Sequence, residues 1–226
     1  MMKVVVAVCI YDRFLNLKEW IRNWKSCSTQ DAELVIVHNY ANEPDRDLYT
    51  GYCLDQGIKY IPRQNVGFDI GAFQDVCYNR LASFPQFDYL LWCTDDALPM
   101  RKDFIQQYIH KMTKNVAIAA MAISTERKRH VRTTGFMITR EASSKLKFPN
   151  DPIVTKEECY HFEHRGGLHT MMNQILRLGY KVVQVSNVNL APLWDSGFKK
   201  LRNRSDEHYQ HFPKTEEKIP VVKICC

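Results

Sequence analysis

The chain has 226 residues, a length that suits one large α/β domain, and 45% of them are hydrophobic, which is enough for a sizeable core. It contains no run of about 18 apolar residues that could span a bilayer, and residues 1–14 lack the basic flank and cleavage site of a signal peptide. The net charge of +6 would favour anionic partners such as nucleotide phosphates, but charge alone does not indicate a fold.

The cysteines indicate a reducing environment. No two of the eight have the two-residue separation of a zinc or redox motif, and several lie in apolar runs where a thiol packs as a small hydrophobic group. The pair Cys225 and Cys226 does not match a prenylation box. We therefore expect a cytoplasmic protein with reduced thiols.

Apolar, β-branched runs alternate with amphipathic stretches over the first 125 residues. The strand-like runs are 3–11, 33–40, 58–63, 88–93 and 116–123, and the helix-like stretches are 17–27, 71–84 and 102–112. Strands that are apolar throughout and separated by helices are typical of a parallel sheet covered on both faces. This half of the sequence predicts a Rossmann-like α/β arrangement.

The second half is less regular. It predicts a strand at 133–142, a Pro-containing loop at 149–152, a helix at 168–180 and a strand at 181–188, followed by a polar tail. Gly179 is placed to end the helix. Apolar residues with helical spacing, the methionines among them, are expected to pack in the core. They are Leu168, Met171, Met172, Ile175, Leu176 and Leu178.

Open parallel sheets bind ligands at the carboxyl edge of their strands, so the residues that follow the predicted strands are candidate ligand contacts. They are Tyr11, Asp12 and Arg13 after the first strand, His38, Asn39 and Tyr40 at the end of the second, and Asn65, Gly67, Asp69 and Gly71 after the third. Asp69 is placed to cap the following helix, and the two glycines would let the backbone come close to a ligand. Taken alone, this segment is explained more simply as an ordinary capped loop.

Two common nucleotide-binding motifs are absent. A dinucleotide-binding dehydrogenase needs G-x-G-x-x-G after its first strand, and a nucleoside-triphosphate hydrolase needs G-x-x-x-x-G-K-S/T. This chain has CIYDRFLNLKEW at that place, which matches neither motif.

Two adjacent carboxylates, Asp95 and Asp96, follow the apolar run 88–93 and are expected at the same edge of the sheet. Adjacent like charges repel and cost desolvation unless solvent or a cation relieves them. They are either a solvated pair in a loop or ligands of Mg²⁺ or Mn²⁺, hard ions that prefer oxygen and also bind phosphates.

This combination resembles the inverting glycosyltransferases of the family-2 type, which have the glycosyltransferase A fold. NVGFDIGAFQD at 65–75 is similar to the family's N-x-G-x-x-x-A-x-N element, and CTDDALP at 93–99 to its D-x-D segment, with Thr94 at the first acidic position. The segment NVGFDIGAF is most similar to rhamnan-synthesis-type and related viral or bacterial glycosyltransferases.

The resemblance continues to about residue 188. RTTGFMITREA at 132–142 is similar to the family's acceptor-side strand, G-x-x-x-x-x-R, and residues 159–180 are similar to its block E-D-x-x-L-x-x-R-x-x-x-x-G-Y. Glu163 stands where the first acid belongs, and His164 replaces the second.

The resemblance implies a fold and a division of the chain. The fold is a single Rossmann-like α/β domain over residues 1–226, of the glycosyltransferase A type, with a mostly parallel central sheet flanked by helices. Residues 1–100 would form the nucleotide-binding half, 101–190 the acceptor-side half and 191–226 a polar tail. With so little sequence beyond this fold, the chain also fits one module of a longer multidomain polypeptide.

The resemblance also implies a reaction, in which a sugar passes with inversion from a nucleotide-diphosphate sugar, taken to be a UDP-sugar, to a hydroxyl of a glycan or glycoconjugate. The donor would contact Tyr11, Asp12, Arg13, Asn39, Asn65, Gly67, Asp69 and Asp95. Mn²⁺ or Mg²⁺ would be held by Asp95, Asp96 and His208, and would stabilise the departing diphosphate. Glu163 would be the catalytic base, with Glu157 and Glu158 as competitors.

Two other functions stay open. A sugar nucleotidyltransferase shares a similar nucleotide-binding half, although its glycine-rich, Arg-containing loop after the first strand is missing. A non-catalytic module could keep the fold and bind a nucleotide or glycan. Nucleic acid is not an expected partner, because aromatic residues interleaved with basic ones are not evident. The basic segments 126–130 and 199–204 are either solvated charge or mobile contacts to a diphosphate.

Overall fold

The computed structural model describes residues 2–29, 32–95, 97–99, 101–125 and 128–185, together with the backbone of 193–195. Its strands are β1 (Val4–Ile10), β2 (Ala32–Tyr40), β3 (Lys59–Gln64), β4 (Tyr89–Thr94), β5 (Ala97–Pro99), β6 (Val116–Ala120), β7 (Ile123–Ser124), β8 (His130–Val131), β9 (Gly135–Thr139), β10 (Lys181–Gln184) and β11 (Leu193–Asp195). Its α-helices are α1 (Phe14–Lys25), α2 (Glu43–Asp55), α3 (Phe68–Cys77), α4 (Phe104–Ile109), α5 (Arg140–Ser143), α6 (Lys156–Tyr160) and α7 (Met171–Arg177). A π-helical turn (His161–Arg165) continues α6, and a 3₁₀ turn (Gly167–His169) precedes α7.

Seven strands form the central sheet in the order β10-β6-β9-β4-β1-β2-β3. All neighbouring pairs are parallel except the two that β9 makes with β4 and β6. Two short antiparallel pairs, β5 with β11 and β7 with β8, lie outside this sheet. The prediction of an α/β fold with a mostly parallel central sheet is therefore confirmed.

The sheet is buried on both faces, as its apolar strands require. Along β1, Val4, Val6 and Val8 pack with Trp20 of α1 on one face, while Val5 and Ala7 belong to the core on the other face. The second core contains Phe73 of α3 together with Trp92 and Phe136 from neighbouring strands. Each such large side chain contributes about 1.5–3 kcal/mol on burial, so the two layers of helices fix the position of the sheet's carboxyl edge.

The helices differ from the sequence prediction in number and length. Helix α2 was not predicted, although Asn42 accepts a hydrogen bond from the backbone N–H of Asp45, 3.0 Å away, and a proline occupies its first turn. The predicted helix 71–84 runs instead from Phe68 to Cys77, and that at 102–112 only from Phe104 to Ile109. No described helix is long and apolar enough to cross a membrane.

The last described helix, α7, ends where the sequence predicts. Gly179 has φ +83°, and its N–H bonds to the carbonyl of Leu176, while the N–H of Tyr180 bonds to the carbonyl of Ile175. Met171 and Met172 are buried in the core, which confirms their assignment. Leu176, together with Leu168 and Leu178, is exposed, because the helix is only seven residues long and buries one narrow face.

Candidate functional site

The carboxyl edge of the sheet carries Asp95, directly after β4. Its backbone N–H bonds to the carbonyl of Cys9 at 3.1 Å, and its side chain is only 11% exposed. Asn16 Nδ2 donates to Asp95 Oδ2 at 3.2 Å, and Arg13 Nη1 lies 3.8 Å from Asp95 Oδ1. Asp95 is thus a mostly buried carboxylate that is fixed by these contacts, rather than a solvated loop residue. Asp96 lies outside the described residues.

Asp69 reaches the same edge from the first turn of α3. Thr133 Oγ1 donates to Asp69 Oδ2 at 3.4 Å. The pKa of the Cys9 thiol is raised first by burial and then by the charge of Asp69, with a smaller contribution from Asp95, while Arg63 opposes them. Both carboxylates therefore lie near enough to Cys9 for their charges to act on it, although they belong to different elements.

The glycines before and in α3 serve internal packing. Gly67, not Asp69, is the N-cap of α3, so the predicted capping role of Asp69 is wrong. Gly67 has φ +73°, and a Cβ added there would lie 2.3 Å from the carbonyl oxygen of Ile153. A Cβ on Gly71 would lie 2.3 Å from the carbonyl oxygen of Val66. The two glycines therefore let this backbone come close to other parts of the chain, and its predicted close approach to a ligand stays a prediction.

Asn39 is almost fully buried at the end of β2. Its Nδ2 donates to the carbonyl of Phe68 at 2.9 Å, and its Oδ1 accepts from Arg63 Nη1. Arg63 also donates to Asp75 Oδ2 and to the carbonyl of Val66, each at 2.9 Å. Asn39 therefore ties β2 to the start of α3. Its predicted contact with a nucleotide stays a prediction.

The predicted contacts after β1 and β3 lie at the surface of this edge. Asp12 and Arg13 are exposed, Tyr11 is 41% exposed, and Asn65 is half-buried with its N–H bonded to the carbonyl of Tyr40 at 3.1 Å. They are accessible to a ligand.

A buried histidine supports the segment that carries Tyr11. His38 Nε2 lies 2.8 Å from the carbonyl oxygen of Tyr11, and Nδ1 lies 2.7 Å from the hydroxyl of Tyr60. Burial lowers the pKa of His38, so the neutral ring donates from Nε2 and accepts from Tyr60 at Nδ1. Its ring also stacks on that of Tyr49, with centroids 4.0 Å apart.

The three candidate bases occupy different environments. Glu158 accepts hydrogen bonds from the N–H groups of Val154 and Thr155, which lower its pKa to about 2, and it completes the capping box of α6. Glu157 is an exposed surface residue paired with Arg165. Glu163 is the one of the three with a mostly buried side chain, 19% exposed.

Glu163 lies among basic groups. Its Oε2 is 3.3 Å from Nδ1 of His164, and the rings of His164 and His130 are 5.2 Å apart. Burial acts to raise the pKa of Glu163, but the hydrogen bond with His164 and the charges of Arg132 and His130 outweigh it and leave the pKa below its usual value. Glu163 is therefore ionised at neutral pH.

The buried thiol of Cys159 lies within the range of the charges of both Glu163 and Asp69. The pKa of Cys159 is raised to about 12, mainly by burial, with further contributions from the charges of Asp69, Glu158 and Glu163. The charge of Asp69 acts on both thiols, whereas Asp95 acts on Cys9 and Glu163 on Cys159. Carboxylate oxygens of this kind suit a hard divalent cation.

Asn16, Arg63 and Thr133 were not predicted from the sequence, and His130 was predicted only as part of a basic segment. Asn16 carries a signal, since it is a polar residue at a buried position of the amphipathic α1. The other contacts join residues far apart in the chain. His208 lies outside the described residues.

Comparisons with known proteins bear on the fold. No family model matches the chain, and no curated protein matches it. Among solved structures, the mannosyltransferase PcManGT from Pyrobaculum calidifontis, in complex with GDP-Man and Mn²⁺, aligns with TM-score 0.57 and 13% identity over 80% of this chain and 54% of its own. The chain thus spans about half the length of that enzyme.

Two further structures align similarly. Glucosyl-3-phosphoglycerate synthase from Mycobacterium tuberculosis, in complex with Mn²⁺, UDP and glucosyl-3-phosphoglycerate, gives TM-score 0.55 and 11% identity over 81% of this chain and 69% of its own. A cytidylyltransferase from Leptospira borgpetersenii gives TM-score 0.51 and 12% identity over 81% of this chain and 76% of its own. The chain has the glycosyltransferase A fold. At these identities, the likeness establishes the fold alone.

Proposed function

We propose that this chain is a metal-dependent inverting glycosyltransferase that moves a sugar from a nucleotide-diphosphate sugar, a UDP-sugar in the first instance, to a hydroxyl of a glycan or glycoconjugate. Residues 1–100 bind the nucleotide and 101–190 receive the acceptor, and the enzyme acts in the cytoplasm. The segment at 65–75 supports a likeness to the rhamnan-synthesis type and related viral or bacterial glycosyltransferases.

The proposal is supported by carboxylates near the carboxyl edge of the sheet, where α/β folds bind ligands. Asp95 directly follows β4, Asp69 lies in the first turn of α3, and the charges of Asp69 and Glu163 both act on the thiol of Cys159. Asp95 and Asp69 come from the nucleotide-binding half and Glu163 from the acceptor half. A transferase needs this separation, because the leaving diphosphate and the attacking hydroxyl are on opposite sides of the sugar.

The donor half binds and orients the nucleotide sugar. Exposed Tyr11, Asp12 and Arg13 are available to the nucleoside and diphosphate, and Arg13 adds a positive charge beside Asp95. Mn²⁺ or Mg²⁺, when bound by Asp95, Asp96 and His208, supplies Lewis-acid stabilisation of the departing diphosphate. Asn39, Asn65, Gly67 and Asp69 are further contacts of the nucleotide sugar in this proposal.

The acceptor half supplies the base. Glu163 is ionised and mostly buried, so it can take the proton of the incoming hydroxyl as the new glycosidic bond forms. Glu158 is committed to the cap of α6 and Glu157 to a surface ion pair, which favours Glu163 among the three. A single base and direct displacement give inversion at the anomeric carbon.

The test uses donor hydrolysis, which needs no acceptor. The full chain is incubated with a panel of nucleotide sugars and Mn²⁺, and the nucleoside diphosphate released is measured, with the anomeric configuration of the sugar read by NMR. We expect hydrolysis of at least one donor with inversion, and its loss on adding a chelator. Hydrolysis of no donor, or retention of configuration, contradicts the proposal.

Variants assign the roles. Asp95→Asn and Asp96→Ala should each lower the metal-dependent rate by about 10²-fold or more, as loss of transition-state charge stabilisation does. Glu163→Gln should lower it by about 10²–10⁴-fold. Glu157→Gln is the matched control, since this exposed glutamate lies six positions earlier, and its rate should stay within about twofold of the wild type. An unchanged rate in Glu163→Gln would remove the base assignment.

A nucleotidyltransferase is the second candidate, because the cytidylyltransferase shares the fold. That reaction joins a sugar phosphate to a nucleoside triphosphate and releases pyrophosphate. Incubation with sugar phosphates and UTP or CTP, followed by a pyrophosphate assay, separates the two: pyrophosphate release without donor hydrolysis favours the nucleotidyltransferase.

A further inference from the structure

We propose that His130, Glu163 and His164 form a second metal site, selective for a borderline cation such as Zn²⁺ and distinct from the oxygen-rich corner at Asp95, and that an ion bound there inhibits the enzyme by occupying Glu163. The inhibitory part rests on the proposed function, whereas the binding part does not. Within the described residues, one ligand atom from each of these three side chains lies within 4.8 Å of the other two.

The ligand set suits this class of metal. Two imidazoles and one carboxylate are a common donor set for Zn²⁺, Co²⁺ and Fe²⁺, whereas Mg²⁺ and Mn²⁺ prefer carboxylate, carbonyl and water oxygens. At the corner of Asp95 the described residues offer the Asp95 carboxylate and the Asn16 amide, and His208 would be the one imidazole in the ligand set proposed there, against two at the second site. The two sites should therefore select different cations.

His130 is already arranged as a ligand. It is 4% exposed, and its Nδ1 lies 2.7 Å from the carbonyl oxygen of Lys128. A carbonyl oxygen only accepts hydrogen bonds, so Nδ1 carries the proton and Nε2 keeps its lone pair. Metal-binding histidines are usually fixed in this way, by a backbone carbonyl or carboxylate on the other ring nitrogen.

The spacing of Glu163 and His164 fits an ion between them. Their Oε2 and Nδ1 atoms are 3.3 Å apart, which is long for a charge-assisted hydrogen bond of about 2.7–2.9 Å. Two tetrahedral ligands at about 2.0–2.1 Å from Zn²⁺ are about 3.4 Å apart. Bringing His130 into the same shell requires at most about 1.4 Å of side-chain movement, the difference between the 4.8 Å limit and this separation.

The surroundings limit affinity but allow entry. Arg132 lies near enough to Glu163 to lower its pKa, so its positive charge opposes a second cation. The side chains of Glu163 and His164 are 19% and 11% exposed to solvent, which leaves a route for the ion and a place for water as a fourth ligand.

Occupation of the site has a chemical consequence. A carboxylate oxygen that donates its lone pair to a cation cannot take a proton from the acceptor hydroxyl. Zn²⁺ at this site would therefore inhibit transfer while the Mn²⁺-dependent donor corner stays intact.

The binding test needs no turnover. The metal-free full chain is titrated with Co²⁺, which takes the same ligands as Zn²⁺ and absorbs visible light. We expect one equivalent with the intense absorption of a tetrahedral nitrogen and oxygen site, displaced by Zn²⁺ but not by Mg²⁺. His130→Gln and His164→Asn should each weaken binding by at least about 10-fold, and circular dichroism should show that both variants are folded.

Two controls locate the site. His110→Ala removes an exposed histidine and should leave the Co²⁺ titration unchanged, as should Asp95→Asn. Wild-type affinity and spectrum in both His130→Gln and His164→Asn would overturn the site, and so would loss of the spectrum in Asp95→Asn alone.

The inhibition test follows if a donor is hydrolysed. At saturating Mn²⁺, Zn²⁺ should inhibit the wild type, and His130→Gln should raise the half-inhibitory concentration by at least about 10-fold. Equal inhibition of both proteins, or none, overturns the inhibitory role. If no donor is hydrolysed, the proposed function fails, but the Co²⁺ result stands by itself.

Discussion

Replacement of Gly67 by alanine tests whether the loop that carries Asp69 is positioned by the segment at Ile153. Gly67 has φ +73°, and a Cβ there would lie 2.3 Å from the carbonyl oxygen and 2.9 Å from the carbonyl carbon of Ile153. Both atoms belong to the backbone, so they cannot swing away as a flexible side chain would.

Gly57 provides a matched control. It has φ +67° at the end of α2, and an added Cβ would meet no atom within 4 Å. Both substitutions carry the left-handed backbone penalty of about 1–2 kcal/mol. Only Gly67→Ala adds the overpacking cost of about 1–3 kcal/mol.

The assay is urea unfolding at neutral pH. With a slope of about 2–3 kcal/mol per molar urea, Gly57→Ala should lower the midpoint by about 0.5 M and Gly67→Ala by about 1 M or more. Donor hydrolysis should fall more in Gly67→Ala, because Asp69 moves with the loop. Equal midpoints for the two variants would refute the inferred contact with Ile153.

Three further predictions concern stability. Thr155→Ala removes the capping box of α6 and should cost about 1 kcal/mol in thermal unfolding, whereas Thr155→Ser should not; equal losses would contradict the cap. Glu158 has a folded-state pKa of about 2, so the stability that its ionised carboxylate contributes is complete above about pH 4.5 and is lost as pH falls toward 2. Glu158→Gln should remove that part of the pH dependence of the unfolding free energy. An unchanged dependence below pH 4.5 would count against this contribution. Burial lowers the pKa of His38, so the unfolded state binds the proton first and the free energy of unfolding should fall as pH drops below about 6.5. His38→Gln should lack this decline when unfolding is measured between pH 7.5 and 5.5. An identical decline in the variant would exclude His38 as its source.

The sequence predicted the sheet better than the helices. All seven strands of the central sheet were located, because continuous apolar runs such as β1 and β4 have no alternative to burial on both faces. Helix α2 was missed, although Asn42 and the following proline are signals of a helix start, since its exposed leucines, Leu48 and Leu54, weaken the apolar pattern.

The candidate site was predicted in part. The rule for parallel strands placed Asp95 and Asp69 at one edge, and in the structure the charges of both act on the thiol of Cys9. Three glutamates within seven residues could not be distinguished from sequence, because their roles follow from what they contact. Glu158 binds the backbone at the start of α6, Glu157 pairs at the surface, and Glu163 is buried.

By itself, the sequence determined the positions of the seven strands of the central sheet and the residues at their carboxyl ends, because hydrophobic periodicity and apolar content are local properties of the chain. Only the tertiary structure decided that β9 inserts antiparallel between β4 and β6, that Gly67 faces Ile153, and that His130 lies beside Glu163. These contacts join residues separated by tens of positions. They depend on how the helices and loops pack over the sheet, and that packing cannot be predicted from any short stretch of sequence.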